Sequence, residues 1–137
     1  MDASVIDWFK YGGPPMFGIL ALDSLFCTLI PVALLLAMIG KVGGLRLAAR
    51  IVSFGVLLGA LLPAVVGALG WWSGRSKVDQ AIAFVDPDQI DALRRVGYEE
   101  AFIPMQFGAG SALLLVLFAA IPLSVSLARG APPSEPT

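Results

Sequence analysis

"MFGILALDSLFCTLIPVALLLAMIG", residues 16–40, decides the fold. It runs from Met16 to Gly40 with Asp23 as its only charged residue. At about 1.5 Å per residue, a helix of this length crosses a hydrocarbon core of roughly 30 Å. The run is continuous and rich in Leu and Ala, whereas membrane strands are shorter, alternate in polarity and must close into a barrel. Two further runs, Ile51–Trp72 and Met105–Ala128, carry no charge at all. Three such runs cannot make a barrel, so the sequence predicts an all-α integral membrane protein with three transmembrane helices, at about 16–40, 51–72 and 105–128.

Composition agrees. The 137 residues are 58% hydrophobic and 14% charged, far too apolar for a small soluble domain. The length fits one membrane domain, residues 1–130, followed by the proline-rich tail 131–137, which is expected to be disordered. The N-terminal "MDASVIDWFK" is acidic and aromatic and lacks a basic leader region, so the first helix is expected to act as its own uncleaved insertion signal.

Orientation follows from Lys and Arg near the helix ends, because cytoplasmic connections carry the excess. The short link "KVGGLRLAAR" holds Lys41, Arg46 and Arg50 with no acid. The longer link, 73–104, mixes Arg75, Lys77, Arg94 and Arg95 with Asp79, Asp86, Asp88, Asp91, Glu99 and Glu100. Basic density therefore places the short link inside. The N-terminus is then outside and the C-terminus inside, in a membrane expected to be the bacterial inner membrane.

The 73–104 link is patterned as helix. Asp86 reads as an N-cap with Pro87 at the first helical position and acids in the first turn. Val78, Ala81, Ile82 and Val85 share one face before it, and Gly97 is expected to interrupt or end the run after it. One or two short amphipathic helices are predicted, lying on the outer membrane surface or on a partner, and the acidic content argues against anionic lipid as the main ligand. Trp71 and Trp72, with Trp8 and Tyr11 before the first span, suit interfacial anchoring.

Much chemistry is excluded by residue supply. There is no histidine and a single cysteine, Cys27, so zinc sites, His-ligated haem, Cys–His catalysis and intrachain disulfides are not expected. No phosphate-cradling loop or nucleic-acid patch is present, and a net charge of −1 gives no reason to expect one. No enzyme, cofactor or metal site is predicted. The expected partners are membrane lipid and either further copies of the chain or other membrane subunits.

Two features remain. Gly55, Gly59, Pro63 and Gly67 recur every four residues, a small-residue stripe that lets another helix approach closely, within the chain or between copies. Asp23 lies within an apolar span, with Ser24 and Thr28 nearby, and none of the three proposed spans supplies a Lys or Arg to pair with it. A buried ionised carboxylate without a partner costs several kcal/mol. Asp23 is thus either a proton- or cation-handling group or a protonated side chain that holds helices together.

The segment "FKYGGPPMFGILALDSLF", residues 9–26, resembles the opening of the ExbB/TolQ/MotA proton-channel superfamily, whose members often begin with an aromatic, Gly-Gly-Pro, a Met and Ile-Leu leading into the first span. The resemblance implies a proton-driven motor subunit, pentameric or similar, surrounding a single-span partner. Family members carry a large helical region between their first two spans, where this chain has a ten-residue link, so no channel residue is carried over. The competing class is a non-catalytic accessory or scaffold subunit of a larger membrane complex. Small-molecule transport is the least favoured.

Overall fold

The computed structural model describes residues 12–39 and 43–129. Four helices follow one another: α1 (Pro14–Ile39), α2 (Gly43–Gly59), α3 (Leu62–Ile82) and α4 (Pro87–Ala128). No strand occurs among the described residues. Three stretches, Pro14–Ile39, Leu47–Ile82 and Pro87–Ala128, are long and apolar enough to cross a membrane.

Gly13 sets the start of α1. It has φ of +63°, a backbone conformation that an L side chain rarely adopts, and it is followed by two prolines without amide hydrogens. The amide of Met16 is then the first able to bond back, donating to the Gly13 carbonyl at 3.1 Å. Pro31 lies inside α1 without ending it.

The second apolar run is not one helix. It is interrupted at Ala60–Leu61, where the Leu61 amide reaches only three residues back, to Leu58, at 3.2 Å. Pro63 explains the position: its ring cannot donate to the Gly59 carbonyl and crowds it, and Gly59 is where α2 ends. Glycine there adds its own low helix propensity to the proline's.

The 73–104 link also departs from expectation. The short, separate amphipathic helices predicted there do not form. Residues 73–82 continue α3, and residues 87–104 are the first part of α4, a 42-residue helix that runs unbroken through Gly97 and Pro104. At about 1.5 Å per residue α4 is roughly 63 Å long, twice the thickness of a hydrocarbon core. Its charges are confined to the first half. Gly97 does not stop the helix because that position faces the Val78 side chain: a Cβ on Gly97 would stand 2.7 Å from Val78 Cγ2. Pro87 opens α4 after a turn at 83–86, in which Phe84 and Val85 donate to the carbonyls of Ala81 and Ile82.

Packing divides the chain into two units. One comprises the described residues up to Leu22 together with Leu62–Ala112. Here α3 and α4 run antiparallel with their backbones in contact. A Cβ on Gly67 would meet the Pro104 carbonyl oxygen at 2.5 Å, and one on Gly108 would overlap the Pro63 carbonyl. Gly70 packs on Pro15 and Pro104, and Gly74 on Ala101. Met16 and Ile19 of α1 are fully buried. The other unit comprises the described residues of Asp23–Leu61 and those from Leu113 onward. Its interior is built mainly from small side chains, Ala33, Ala37, Ala49, Ser53, Ala60 and Ala119. Gly59 lies against the Phe26 ring, and the Arg129 guanidinium donates to the Met38 carbonyl. Met16, Ile19, Phe26 and Leu115 are buried, but many of the large apolar side chains, such as Phe17, Leu35, Leu58 and Leu117, point outward. Small residues at helix contacts and many large apolar side chains on the outside are the arrangement expected where lipid, not water, surrounds the helices.

The glycines can be ranked by what surrounds them. Gly67→Ala and Gly108→Ala should each destabilise by roughly 1–3 kcal/mol, because backbone atoms must move apart. Gly55→Ala, with nothing within 4 Å of the new methyl, should be neutral or stabilising by up to about 1 kcal/mol from helix propensity. Thermal unfolding of the detergent-purified variants checks this order, and equal effects at the three positions would contradict it.

Candidate functional site

The polar chemistry of the first unit gathers where α3 leaves its apolar stretch. Trp71, Trp72, Arg75, Ser76, Asp79, Gln80 and Ala83 follow one another at helical spacing and line an open groove of about 630 Å³. The guanidinium of Arg75 lies 4.8 Å from the centroid of the Tyr98 ring and 5.9 Å from that of Trp71. Such placement over aromatic faces is favourable by about 0.5–1 kcal/mol at exposed sites. Tyr98 in turn donates its phenol proton to Asp79 Oδ1 across the α3–α4 seam. Gln80 donates to the Ser76 hydroxyl at 3.3 Å. The close backbone seam below, at Gly67, Gly70 and Gly74, sets the register that brings residue 98 beside residues 75 and 79.

A second, smaller cavity of about 160 Å³ in the same unit is walled by backbone-rich residues, Gly12–Pro15, Gly70, Gly74 and Pro104, with Lys77 and Glu100 at its rim.

In the other unit, Asp23 is half-buried on α1, while Ser24 and Thr28 are exposed one turn apart. The Thr28 hydroxyl donates to the Leu25 carbonyl of its own helix at 2.7 Å, and Cys27 is an exposed free thiol. Two polar atoms of α2, Arg50 Nε and Ser53 Oγ, are buried and have no hydrogen-bond partner among the described residues. Among the described residues no three His, Cys, Asp or Glu side chains come together in a metal-binding group.

The small-residue stripe divides by surroundings. Pro63 and Gly67 meet α4 and Gly59 meets Phe26, whereas Gly55 is exposed and a Cβ there would meet nothing among the described residues within 4 Å. Trp71 is half-buried beside Arg75, and Trp72 is 74% exposed. Trp8 and Tyr11 lie outside the described residues, as does the tail 131–137. Arg75, Asp79 and Tyr98 were not singled out by the sequence reading as a cluster. The four-residue spacing of Arg75 and Asp79 was visible, but Tyr98 is reached only through the hairpin. The facing row Gly97, Ala101, Pro104 and Gly108 was a signal that α4 offers its own small-residue face.

No family model, curated protein or solved structure matches the chain.

The Arg75–Tyr98 stack should be measurable as a coupling. In a double-mutant cycle of Arg75→Gln and Tyr98→Leu, read by thermal unfolding, an interaction of about 0.5–1 kcal/mol is expected. Additive effects would show that the cation and ring are adjacent without attracting.

Proposed function

We propose that this chain is a non-catalytic accessory or scaffold subunit of an oligomeric membrane complex, seated in a bacterial inner membrane with its N-terminus outside and its C-terminus inside. The observation that carries the reading is the bare notch at Gly55. Three members of the stripe are filled from within the chain, while Gly55 is open between the exposed side chains of Ile51, Phe54 and Leu58. A glycine flanked by large apolar side chains on a membrane helix admits the ridge of another helix, and close packing is what drives association where lipid tails compete equally for apolar surface. The basic density of the 41–50 segment supports the orientation.

A second reading, a proton-conducting subunit of the ExbB/TolQ/MotA type, draws on the N-terminal resemblance and on Asp23, a half-buried carboxylate within α1.

Cysteine crosslinking in native membranes tests the first reading. In a Cys27→Ser background, which removes the exposed native thiol, Gly55→Cys should bond to a second copy or to another membrane polypeptide, whereas Ala112→Cys, at a buried position, should stay silent. No crosslink from Gly55→Cys would remove the basis for an interface there. Proton flux into liposomes separates the two readings. The scaffold predicts equal flux for the wild type and Asp23→Asn, and loss of flux in an assembled Asp23→Asn protein would establish the channel instead.

A further inference from the structure

The groove lined by Trp71 to Ala83 is ordered along α3. The helix emerges from its apolar stretch at Trp71 and Trp72, the cation Arg75 comes about one turn further out, and Asp79 and Gln80 follow one turn beyond that. A phospholipid with an amine headgroup presents its groups in the same order from the membrane outward: acyl chains and glycerol, then phosphate, then ammonium. Arg75 and Asp79 are four residues apart, so about 6 Å of helix axis separates their positions, a span of the same order as that between phosphate and ammonium in such a headgroup. We infer that this groove is a binding site for a phosphoethanolamine lipid headgroup. Trp71 and Trp72 lie against the upper acyl chains, Arg75 pairs with the phosphate, and Asp79 and Gln80 take the primary ammonium. The inference rests on the membrane reading above, not on the scaffold role.

Three observations select this occupant. First, Arg75 is exposed and its guanidinium is positioned by ring contacts, which use its face and leave its in-plane N–H edge able to meet a phosphate by paired donors. Second, among the described residues that line it the groove carries one cation, Arg75, and one anion, Asp79. A headgroup with phosphate and ammonium matches both, whereas an anionic headgroup without an amine leaves Asp79 facing like charge. Third, among the described residues Asp79 accepts from Tyr98 at one oxygen and Gln80 donates to Ser76, which leaves the second carboxylate oxygen and the amide oxygen as acceptors. A primary ammonium donates to such acceptors; a quaternary one cannot.

The test is lipid-selective quenching of tryptophan fluorescence. The protein has three tryptophans, so a Trp8→Phe background leaves only Trp71 and Trp72 to report. It is reconstituted in phosphatidylcholine vesicles in which part of the lipid is replaced by phosphatidylethanolamine, phosphatidylcholine or phosphatidylglycerol brominated near the top of the acyl chain. The expected result is a preference for the ethanolamine lipid over the choline lipid of about fivefold in relative association, the worth of one net hydrogen bond. Asp79→Asn should abolish that preference, and Arg75→Gln should weaken association of both phospholipids. Tyr98→Phe removes the phenol bond but keeps both charges, so it should retain the preference. Equal quenching by all three lipids, a preference for the glycerol headgroup, or loss of preference in Tyr98→Phe to the same degree as in Asp79→Asn would each overturn the inference while leaving the membrane reading in place. Absence of quenching by any brominated lipid would overturn the membrane reading, and the inference with it.

Discussion

The close approach of the α3 and α4 backbones is the contact on which the first unit depends. For helices in lipid the burial of apolar surface supplies little preference, because an acyl chain solvates leucine as well as another leucine does. What remains is dispersion between surfaces that fit, and dispersion falls away within an ångström of gap. Gly67 and Gly108 remove the side chains that would hold the axes apart, so the carbonyls of Pro104 and Pro63 lie where Cβ atoms would otherwise be. The same seam continues through Gly70, Gly74 and Gly97, beyond the apolar stretch. One row of contacts thus runs from the apolar stretch into the charged one, and the register set in the first determines which side chains meet in the second. The stacking of Arg75 on Tyr98 follows from that register.

The interruption at Ala60–Leu61 shows how local chemistry decides where a long apolar run stops being a helix. Pro31, Pro104 and Pro122 each remove an amide donor, and the helices around them continue. Pro63 differs because the carbonyl it would crowd belongs to Gly59, a residue with little preference for helix in the first place. Gly59 is also needed small for a separate reason: Phe26 fills the space its side chain would take. Packing and backbone demands coincide at that residue, and the helix ends there.

The three apolar runs and the start of α4 at Pro87 were legible because length, hydropathy and capping chemistry are local properties of the chain. The continuity of α4 was not. Gly97 and Pro104 are helix breakers by propensity, and the reason neither breaks this helix lies on α3, in Val78 and in the glycines that face Pro104. Propensity is a weak prior when a neighbouring helix is shaped to the residue in question. The stripe Gly55–Gly67 was visible as a spacing, yet its members have different neighbours, Phe26 for one, α4 for two and none for Gly55. Spacing identifies a face that can accept close contact; it does not name what fills it. The polar groove was missed for a similar reason, since Arg75 and Asp79 stand on one helix while the ring that organises them arrives from another.

The position of that ring has a consequence for the charged pair. An arginine and an aspartate four residues apart on an isolated helix can reach one another, and an exposed pair of this kind contributes only a few tenths of a kcal/mol. Here Tyr98 takes part with both, its face against the guanidinium and its hydroxyl on the carboxylate. The phenol holds the two charges through different parts of one side chain, so their ordering does not depend on their mutual attraction. A cation and a carboxylate four residues apart on one helix offer both signs to a third species that bears both. That capacity, placed one turn above two tryptophans, distinguishes this end of the hairpin from a solvated loop.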